Sequence, residues 1–239
     1  MLNNFVMNKE SNAYTFGFTI VMIVVVALGL AVTSITLKPL QERNVLVEKK
    51  QNILQSLNVN VDFEKVEKTF KDYIKATYIV KPDGSYNEGN VFDINLKEEL
   101  KKPLQERNLP LYVAEKDGHK FFVIPLYGKG LWGPIWGYIA LKEDLNTVYG
   151  VSFGHKGETP GLGAEIVNDK FKNKFKEKKL FDEQGNFVSI KVNKGAKSLS
   201  KHEVDAISGA TITSKGLEKM IYNVLKDYVN FFKNYKKNK

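Results

Sequence analysis

Residues 205–214 read Asp-Ala-Ile-Ser-Gly-Ala-Thr-Ile-Thr-Ser and lead directly into a strongly periodic apolar pattern. Over residues 215–235 apolar side chains recur every three or four positions, which predicts an amphipathic helix with Ser214 as its N-cap. The small residues at 208–211 predict a loop that lets a bulky group approach the backbone, and N–H groups at a helix start favour a phosphate. A plain capped turn is the alternative interpretation of the same residues.

Apolar runs bounded by glycine, proline and polar residues predict four strands upstream of this helix. A helical pattern at residues 164–179 separates the third strand from the fourth. The pattern is weaker over residues 58–115, where we expect a less regular subregion packed on the main domain. Strands together with helices predict an α+β fold with a twisted, mainly antiparallel sheet and packed helices. The predicted strands are residues 120–127, 135–141, 146–153 and 187–192.

The N-terminal part contains a long uncharged segment, residues 16–37. As a helix it would reach about 33 Å, against about 30 Å of hydrocarbon in a bilayer, so we predict a single transmembrane helix. A signal peptide has a shorter apolar core, and a buried core helix is the remaining alternative. The predicted organisation is a short N-terminal tail (1–15), the transmembrane helix (16–37), a juxtamembrane helix with the less regular subregion (38–115), and a C-terminal domain (116–239).

Composition excludes several kinds of site. The chain has no cysteine, which excludes disulfides, cysteine-ligated iron–sulfur clusters, thiolate zinc sites and cysteine nucleophiles. Its 3 histidines are scattered, so no metal site is predicted. The sequence has neither a Walker loop nor a GxGxxG fingerprint, so the chain should not bind ATP or NADH by itself. The net charge of +9 comes without a nucleic-acid motif, and we expect solvated lysine-rich faces or contact with anionic headgroups rather than nucleic acid binding.

Two further glycine-rich segments precede residues 205–214 in the sequence. Residues 157–163 read Gly-Glu-Thr-Pro-Gly-Leu-Gly, and residues 127–133 read Tyr-Gly-Lys-Gly-Leu-Trp-Gly. Taken alone, the former predicts a Gly-Pro turn ahead of a helix, and the latter a hairpin with aromatic residues.

Residues 205–214 resemble the flavinylation motif of the FMN-binding domain family. In that motif an aspartate is followed, at fixed spacing, by a serine or threonine, a small pair and the threonine that carries the flavin. The resemblance implies that a flavin transferase moves the FMN moiety of FAD onto the Thr211 hydroxyl as a phosphoester. The matching residues are Asp205, Ser208, Gly209, Ala210 and Thr211, and Thr213 and Ser214 fit the hydroxyl-rich tail of the motif.

The order of the segments is similar to that in one branch of this family, the C subunits of the Na+-translocating NADH:quinone oxidoreductases. An N-terminal span, the aromatic glycine loop, the 157–163 loop and the 205–214 motif follow one another in the same order. The resemblance implies that both glycine-rich segments contribute to the flavin site. The cofactor-binding residues expected there are Glu158, Thr159, Pro160, Gly161, Leu162, Gly163, Gly130, Leu131 and Trp132.

The function implied is that of a covalent-FMN electron-transfer protein within a larger complex. That complex would oxidise NADH, reduce ubiquinone and export Na+, while this chain would contribute a redox relay with no catalytic side chain of its own. The expected partners are the other subunits, a flavin transferase and membrane lipid. Two alternatives remain: the G subunit of an Rnf-type ferredoxin–NAD electron-transport complex, and a tethered, flavin-free interaction domain.

Sequence arguments about the orientation of the domain disagree. One lysine, Lys9, precedes the span, whereas Lys38, Arg43, Lys49 and Lys50 follow it, and the positive-inside rule would put the following domain in the cytoplasm. The resemblance implies the opposite: an inner-membrane protein with a single span and its flavin domain on the periplasmic side. Because the rule is a bias for short loops, we expect the periplasmic orientation.

Overall fold

The computed structural model describes residues 11–195 and 200–237. The chain divides into two compact units, Met1–Glu48 and Lys49–Lys239. Residues 1–10 of the predicted tail (1–15) lie outside the described residues. The last residues of that tail belong to helix α1, which begins at Asn12.

Helix α1 extends from Asn12 to Ser56 as one continuous element. Among the described residues it is the one helix that is long and apolar enough to cross a membrane. Two threonines of the apolar segment form hydrogen bonds within the helix: Thr33 and Thr36 each donate to the carbonyl four residues earlier at 2.8 Å. Such internal hydrogen bonds avoid the free-energy cost of placing an unpaired hydroxyl in an apolar environment. The predicted span and juxtamembrane helix are therefore parts of one helix, which continues through Pro39.

A six-stranded antiparallel sheet with the order β2-β1-β3-β4-β5-β6 dominates the second unit. A short parallel pair, β7-β8, lies apart from it. The predicted α+β class with a mainly antiparallel sheet is confirmed. The strands are β1 Ile74–Val80, β2 Tyr86–Glu88, β3 Leu109–Lys116, β4 His119–Lys129, β5 Pro134–Lys142, β6 Val148–His155, β7 Lys191–Asn193 and β8 Glu203–Asp205.

Five shorter helices follow α1 in the described residues, together with single 3-10 turns. The turns cover Phe63–Lys65, Leu104–Glu106, Gly163–Val167, Asn173–Phe175 and Lys226–Tyr228. The α-helices are α2 Val66–Tyr73, α3 Leu96–Glu99, α4 Asp169–Lys172, α5 Thr211–Leu225 and α6 Val229–Lys237.

Several local predictions were wrong. Residues 58–115, expected to be less regular, supply β1, β2 and β3 and so extend the sheet across the predicted boundary at residue 115. Residues 164–179 form short turns instead of one helix, because Asn168 is extended and its side chain caps a new turn by accepting from the Lys170 N–H. The fourth predicted strand, 187–192, is reduced to β7.

The helix predicted at 215–235 begins earlier and is interrupted. It starts at Thr211, and a 3-10 turn at Lys226–Tyr228 separates α5 from α6. Ser214 is therefore not the N-cap. It lies in the first turn of α5, is buried, and its Oγ accepts a hydrogen bond from the Ile207 N–H.

Helix α5 packs closely on strand β4. A Cβ added to Gly216 would clash with the Lys129 carbonyl oxygen, and one added to Gly128 would lie 2.7 Å from Cβ of Met220. Two glycines on opposite elements thus let the helix approach the strand backbone. The buried face of α5 consists of Thr213, Ser214, Leu217, Met220, Ile221, Val224 and Leu225.

A buried ion pair holds the turn after α5. Asp227, with a side chain 1% exposed, accepts from Arg107 Nη1 at 2.6 Å. The Arg107 guanidinium also donates to the carbonyls of Lys102 and Leu100, both at 3.0 Å. This arginine therefore joins the segment before β3 to the α5–α6 turn.

Arg107→Ala should lower the free energy of unfolding by about 3 kcal/mol, because it leaves the Asp227 carboxylate buried without its partner. The measurement is denaturant-induced unfolding of the full chain in detergent, followed by tryptophan fluorescence. Lys101→Ala is the matched control, since it removes an exposed pair with Glu98 and should leave the midpoint unchanged. Equal midpoints for all three proteins would contradict the role given to Arg107.

Candidate functional site

Three sequence segments meet beside the start of α5. One is the turn between β4 and β5 that contains Trp132, one is the loop after β6 that contains Glu158, and one leads from β8 into α5. Glu158 joins all three: its Oε1 accepts from the Trp132 N–H at 2.9 Å, and its Oε2 accepts from Thr213 Oγ1 at 2.5 Å. The residue is only 4% exposed, so its carboxylate lies beneath the surface.

Two glycines make room for this carboxylate. A Cβ at Gly130 would lie 2.5 Å from Oε1 of Glu158, and one at Gly163 would lie 2.5 Å from Oε2 and 2.6 Å from Thr213 Oγ1. These distances are shorter than a carbon–oxygen contact allows. Any side chain at either position would displace Glu158 and separate the segments that it connects.

The loop at residues 157–163 forms a compact turn. The N–H groups of Leu162 and Ala164 both donate to the Thr159 carbonyl at 3.1 Å, and Gly161 has a φ of +74°. The Trp132 indole Nε1 donates to Thr159 Oγ1 at 3.2 Å, which fixes the exposed tryptophan against this loop. The N–H of Glu158 donates to His155 Nδ1 at 3.2 Å and holds the start of the turn.

Gly209 connects this loop to the segment before α5. Its φ of +77° is in the left-handed region, which favours glycine. A Cβ there would lie 2.7 Å from Cδ2 of Leu162, so the two loops touch at this point. Ala210 then donates its N–H to the Ile207 carbonyl at 3.1 Å, and the helix begins at the next residue, Thr211.

The hydroxyl residues of this segment differ in exposure. Thr213 and Ser214 are each 1% exposed, and both hydroxyls take part in internal hydrogen bonds. Thr211 and Ser208 are exposed. Thr211 is also the first residue of a 15-residue helix, whose first-turn N–H groups have no intrahelical partner and carry partial positive charge.

Four large apolar side chains of the three segments are exposed. Trp132 is 69% exposed and Ile212 is 59% exposed, and Leu131 and Leu162 are also exposed. Trp132 and Leu162 are held by the contacts given above. A group of exposed apolar side chains of this kind indicates a binding surface.

Asp205 holds the start of the loop that leads from β8 to Thr211. Its Oδ1 accepts from the Gly195 N–H at 2.7 Å, and its carbonyl oxygen accepts from Lys174 Nζ at 3.1 Å. Oδ2 lies 3.5 Å from the same Nζ. Asp205 therefore fixes the end of β8 from which the loop to Thr211 departs.

Comparison with known proteins identifies the family. Residues 130–226 match the FMN-binding domain family, a range that contains all three segments of the site. A relative from Neisseria meningitidis serogroup A, the C subunit of a Na(+)-translocating NADH-quinone reductase, is 32% identical over 234 residues, covering 89% of this chain and 90% of the relative. The chain belongs to the family of C subunits of Na+-translocating NADH-quinone reductases.

Other members of this C-subunit family agree with the assignment. The protein of the same name from Haemophilus ducreyi is 31% identical, covering 88% of each chain. The crystal structure of the C subunit from Parabacteroides distasonis has a TM-score of 0.76 and 43% sequence identity, covering 82% of this chain and 96% of the other. NqrC from Shewanella oneidensis has a TM-score of 0.66 and 28% identity, covering 80% of this chain and 97% of the other.

The residues at the start of α5 and in the two neighbouring loops are suited to bind FMN. A phosphate needs donors, and the first turn of α5 offers N–H groups beside the Thr211 hydroxyl. A flat aromatic ring needs apolar surface, which Trp132 and Leu162 present. The glycine at 209 lets such a ring come close to the backbone.

The structure sorts the residues predicted for the site into two groups. The residues at or near the surface are Asp205, Ser208, Gly209, Thr211, Thr159, Pro160, Gly161, Leu162, Gly130, Leu131 and Trp132. The buried ones are Glu158, Gly163, Ala210, Thr213 and Ser214, which support the others from below. Their contact with FMN stays a prediction.

Sequence reasoning did not single out three residues that the structure places here. His155 holds the N–H of Glu158, Lys174 binds Asp205, and Ile212 adds exposed apolar surface next to Thr211. Of these three residues, Ile212 could have been found from the sequence, because it is apolar and directly follows Thr211. The contacts of His155 with Glu158 and of Lys174 with Asp205 form only in the folded chain.

Proposed function

We propose that this chain carries FMN as a phosphoester on Thr211 and relays electrons inside a membrane NADH-quinone reductase. The observation that carries the proposal is the exposed Thr211 hydroxyl, at the start of α5 and within the surface made by three converging segments. The names of the relatives support the assignment to such a reductase, because each relative is named as one of its subunits. They favour this function over the Rnf-type alternative and over a flavin-free interaction domain.

Attachment requires a reachable hydroxyl. In the proposed step, a bond forms between Thr211 Oγ1 and the FMN phosphorus of FAD, the pyrophosphate bond of FAD breaks, AMP leaves, and the hydroxyl proton is lost. A flavin transferase has access to Thr211, whereas Thr213 and Ser214 are buried. Ser208 is exposed as well, but it precedes the helix and lacks the adjacent first-turn N–H groups.

The chain's own residues bind and orient the cofactor. When bound, FMN supplies the one- and two-electron chemistry. The first turn of α5 would hold the phosphate, while Trp132 and Leu162 would cover apolar parts of the ring and exclude water from them. We assign the chain a relay role without an NADH site of its own, because its sequence has no nucleotide-binding fingerprint.

Helix α1 would anchor the relay in the inner membrane as a single span. Residues 16–37 contain no ionisable side chain, so this span offers no path for Na+, and export would depend on other subunits. We propose that residues 116–239 carry the flavin function on the periplasmic side. The other subunits, a flavin transferase and membrane lipid are the proposed partners.

A reduction experiment tests the relay. The full chain, produced with its transferase, should show flavin fluorescence after denaturing electrophoresis. In the assembled complex NADH should bleach the absorbance of this FMN, because electrons arrive through other subunits. The isolated loaded chain should stay oxidised in NADH, while dithionite reduces it and serves as the positive control.

Two outcomes would contradict the proposal. An absence of flavin fluorescence in chain produced with the transferase would favour the tethered interaction domain. Rapid reduction of the isolated chain by NADH would require a nucleotide site on this chain and would exclude a pure relay.

A further inference from the structure

We propose that the buried carboxylate of Glu158 lowers the reduction potential of the FMN held at Thr211. The inference rests on the proposed function, since it concerns the cofactor of that site. Glu158 is a positioning residue that acts through the field of its charge as well as through the segments it joins. It exchanges no electron or bond with the cofactor.

The first support is the place of the carboxylate. It lies directly under the binding surface, hydrogen-bonded to the hydroxyl of Thr213, two residues along the helix from Thr211. Its other oxygen holds the N–H of Trp132, whose exposed ring borders the same surface. One oxygen accepts from a backbone N–H, and the other is within hydrogen-bond distance of a hydroxyl.

The second support is that the hydrogen-bond donors to the Glu158 carboxylate are uncharged groups. Within the described part of the chain, none of the ion pairs involves Glu158. The neighbouring His155 ring accepts a hydrogen bond from the Glu158 N–H at Nδ1, so this nitrogen carries no proton. The two groups that donate hydrogen bonds to this carboxylate, a backbone N–H and a hydroxyl, are both neutral, and the residue is 4% exposed.

The third support is that the geometry alone does not require a charge. A glutamine of the same size would keep an oxygen for the Trp132 N–H, and its amide could donate to the Thr213 hydroxyl. Gly130 and Gly163 would leave the same space for it. A negative charge in low dielectric opposes the addition of electrons nearby, so a carboxylate here has an effect that an amide lacks.

The test is the midpoint potential of the covalently loaded full chain, measured by spectroelectrochemical titration in detergent. Glu158→Gln should raise the potential enough to shift the reduced-to-oxidised ratio at least ten-fold, about 30 mV for a two-electron couple. Glu158→Asp keeps the charge but shortens the reach, and its ratio should stay within about three-fold of the wild-type value. Glu165→Gln is the matched control, because this carboxylate belongs to the same loop region and accepts from the Asn168 side chain rather than from Trp132 or Thr213. It should leave the midpoint potential unchanged.

The outcomes separate the two proposals. A potential unchanged in Glu158→Gln, or shifted equally in the Gln and Asp variants, would mean that Glu158 acts by structure alone and would overturn this inference. Loss of loading in Glu158→Gln but not in Glu158→Asp would overturn it too, since the charge would then matter for attachment. A wild-type chain without FMN would instead refute the proposed function.

Discussion

Thr211→Ala is expected to remove all covalent FMN from the chain. The hydroxyl oxygen is the atom that would form the phosphoester, and alanine offers no nucleophile in its place. Intact-mass analysis of the wild-type chain should give one added FMN less one water, and the variant should give the bare polypeptide mass. In the assembled complex the variant should also lose NADH-driven quinone reduction, because the relay would be interrupted.

The fold should survive this substitution. Thr211 is exposed and its side chain makes no capping bond in the first turn, so the free energy of unfolding should change by less than about 0.5 kcal/mol. Ser208→Ala is the matched control, since it removes the neighbouring exposed hydroxyl and should retain the full added mass. If Thr211→Ala keeps the mass and Ser208→Ala loses it, the attachment site is Ser208.

A cysteine placed after Lys239 is expected to react completely with a membrane-impermeant maleimide once the outer membrane has been permeabilised. The proposed periplasmic position of the domain makes this thiol accessible, even though four basic residues follow the span and one precedes it. Flanking charge orients short loops more strongly than large translocated domains. The chain has no native cysteine, so every labelled thiol is the introduced one.

Asn3→Cys is the reciprocal probe, because residue 3 lies on the other side of the predicted span. It should label only after the inner membrane is lysed. The reverse pattern, with the C-terminal thiol protected and the thiol at residue 3 labelled, would place the domain in the cytoplasm. The periplasmic relay would then be abandoned, even with FMN on Thr211.

Sequence patterns were sufficient where the decisive interactions are local. The uncharged length of residues 16–37 indicated the candidate membrane helix, and the two apolar runs around residues 128–134 indicated the β4–β5 hairpin. Patterns failed over residues 58–115. There β1 pairs with β3 across the intervening residues 81–108, and strand pairing between distant segments leaves little periodic signal in either partner.

By itself the sequence determined the order of the three glycine-rich segments, the residue types in them and the amphipathic helix that follows Thr211. Only the tertiary structure decided which hydroxyls are reachable and which residues lie below the surface. Glu158 illustrates the reason: a glutamate in a glycine loop is expected to be solvated. It is buried because Trp132 and Thr213, distant in the chain, supply the two donors that replace water. Burial is a property of segments brought together by folding, and no single segment encodes it.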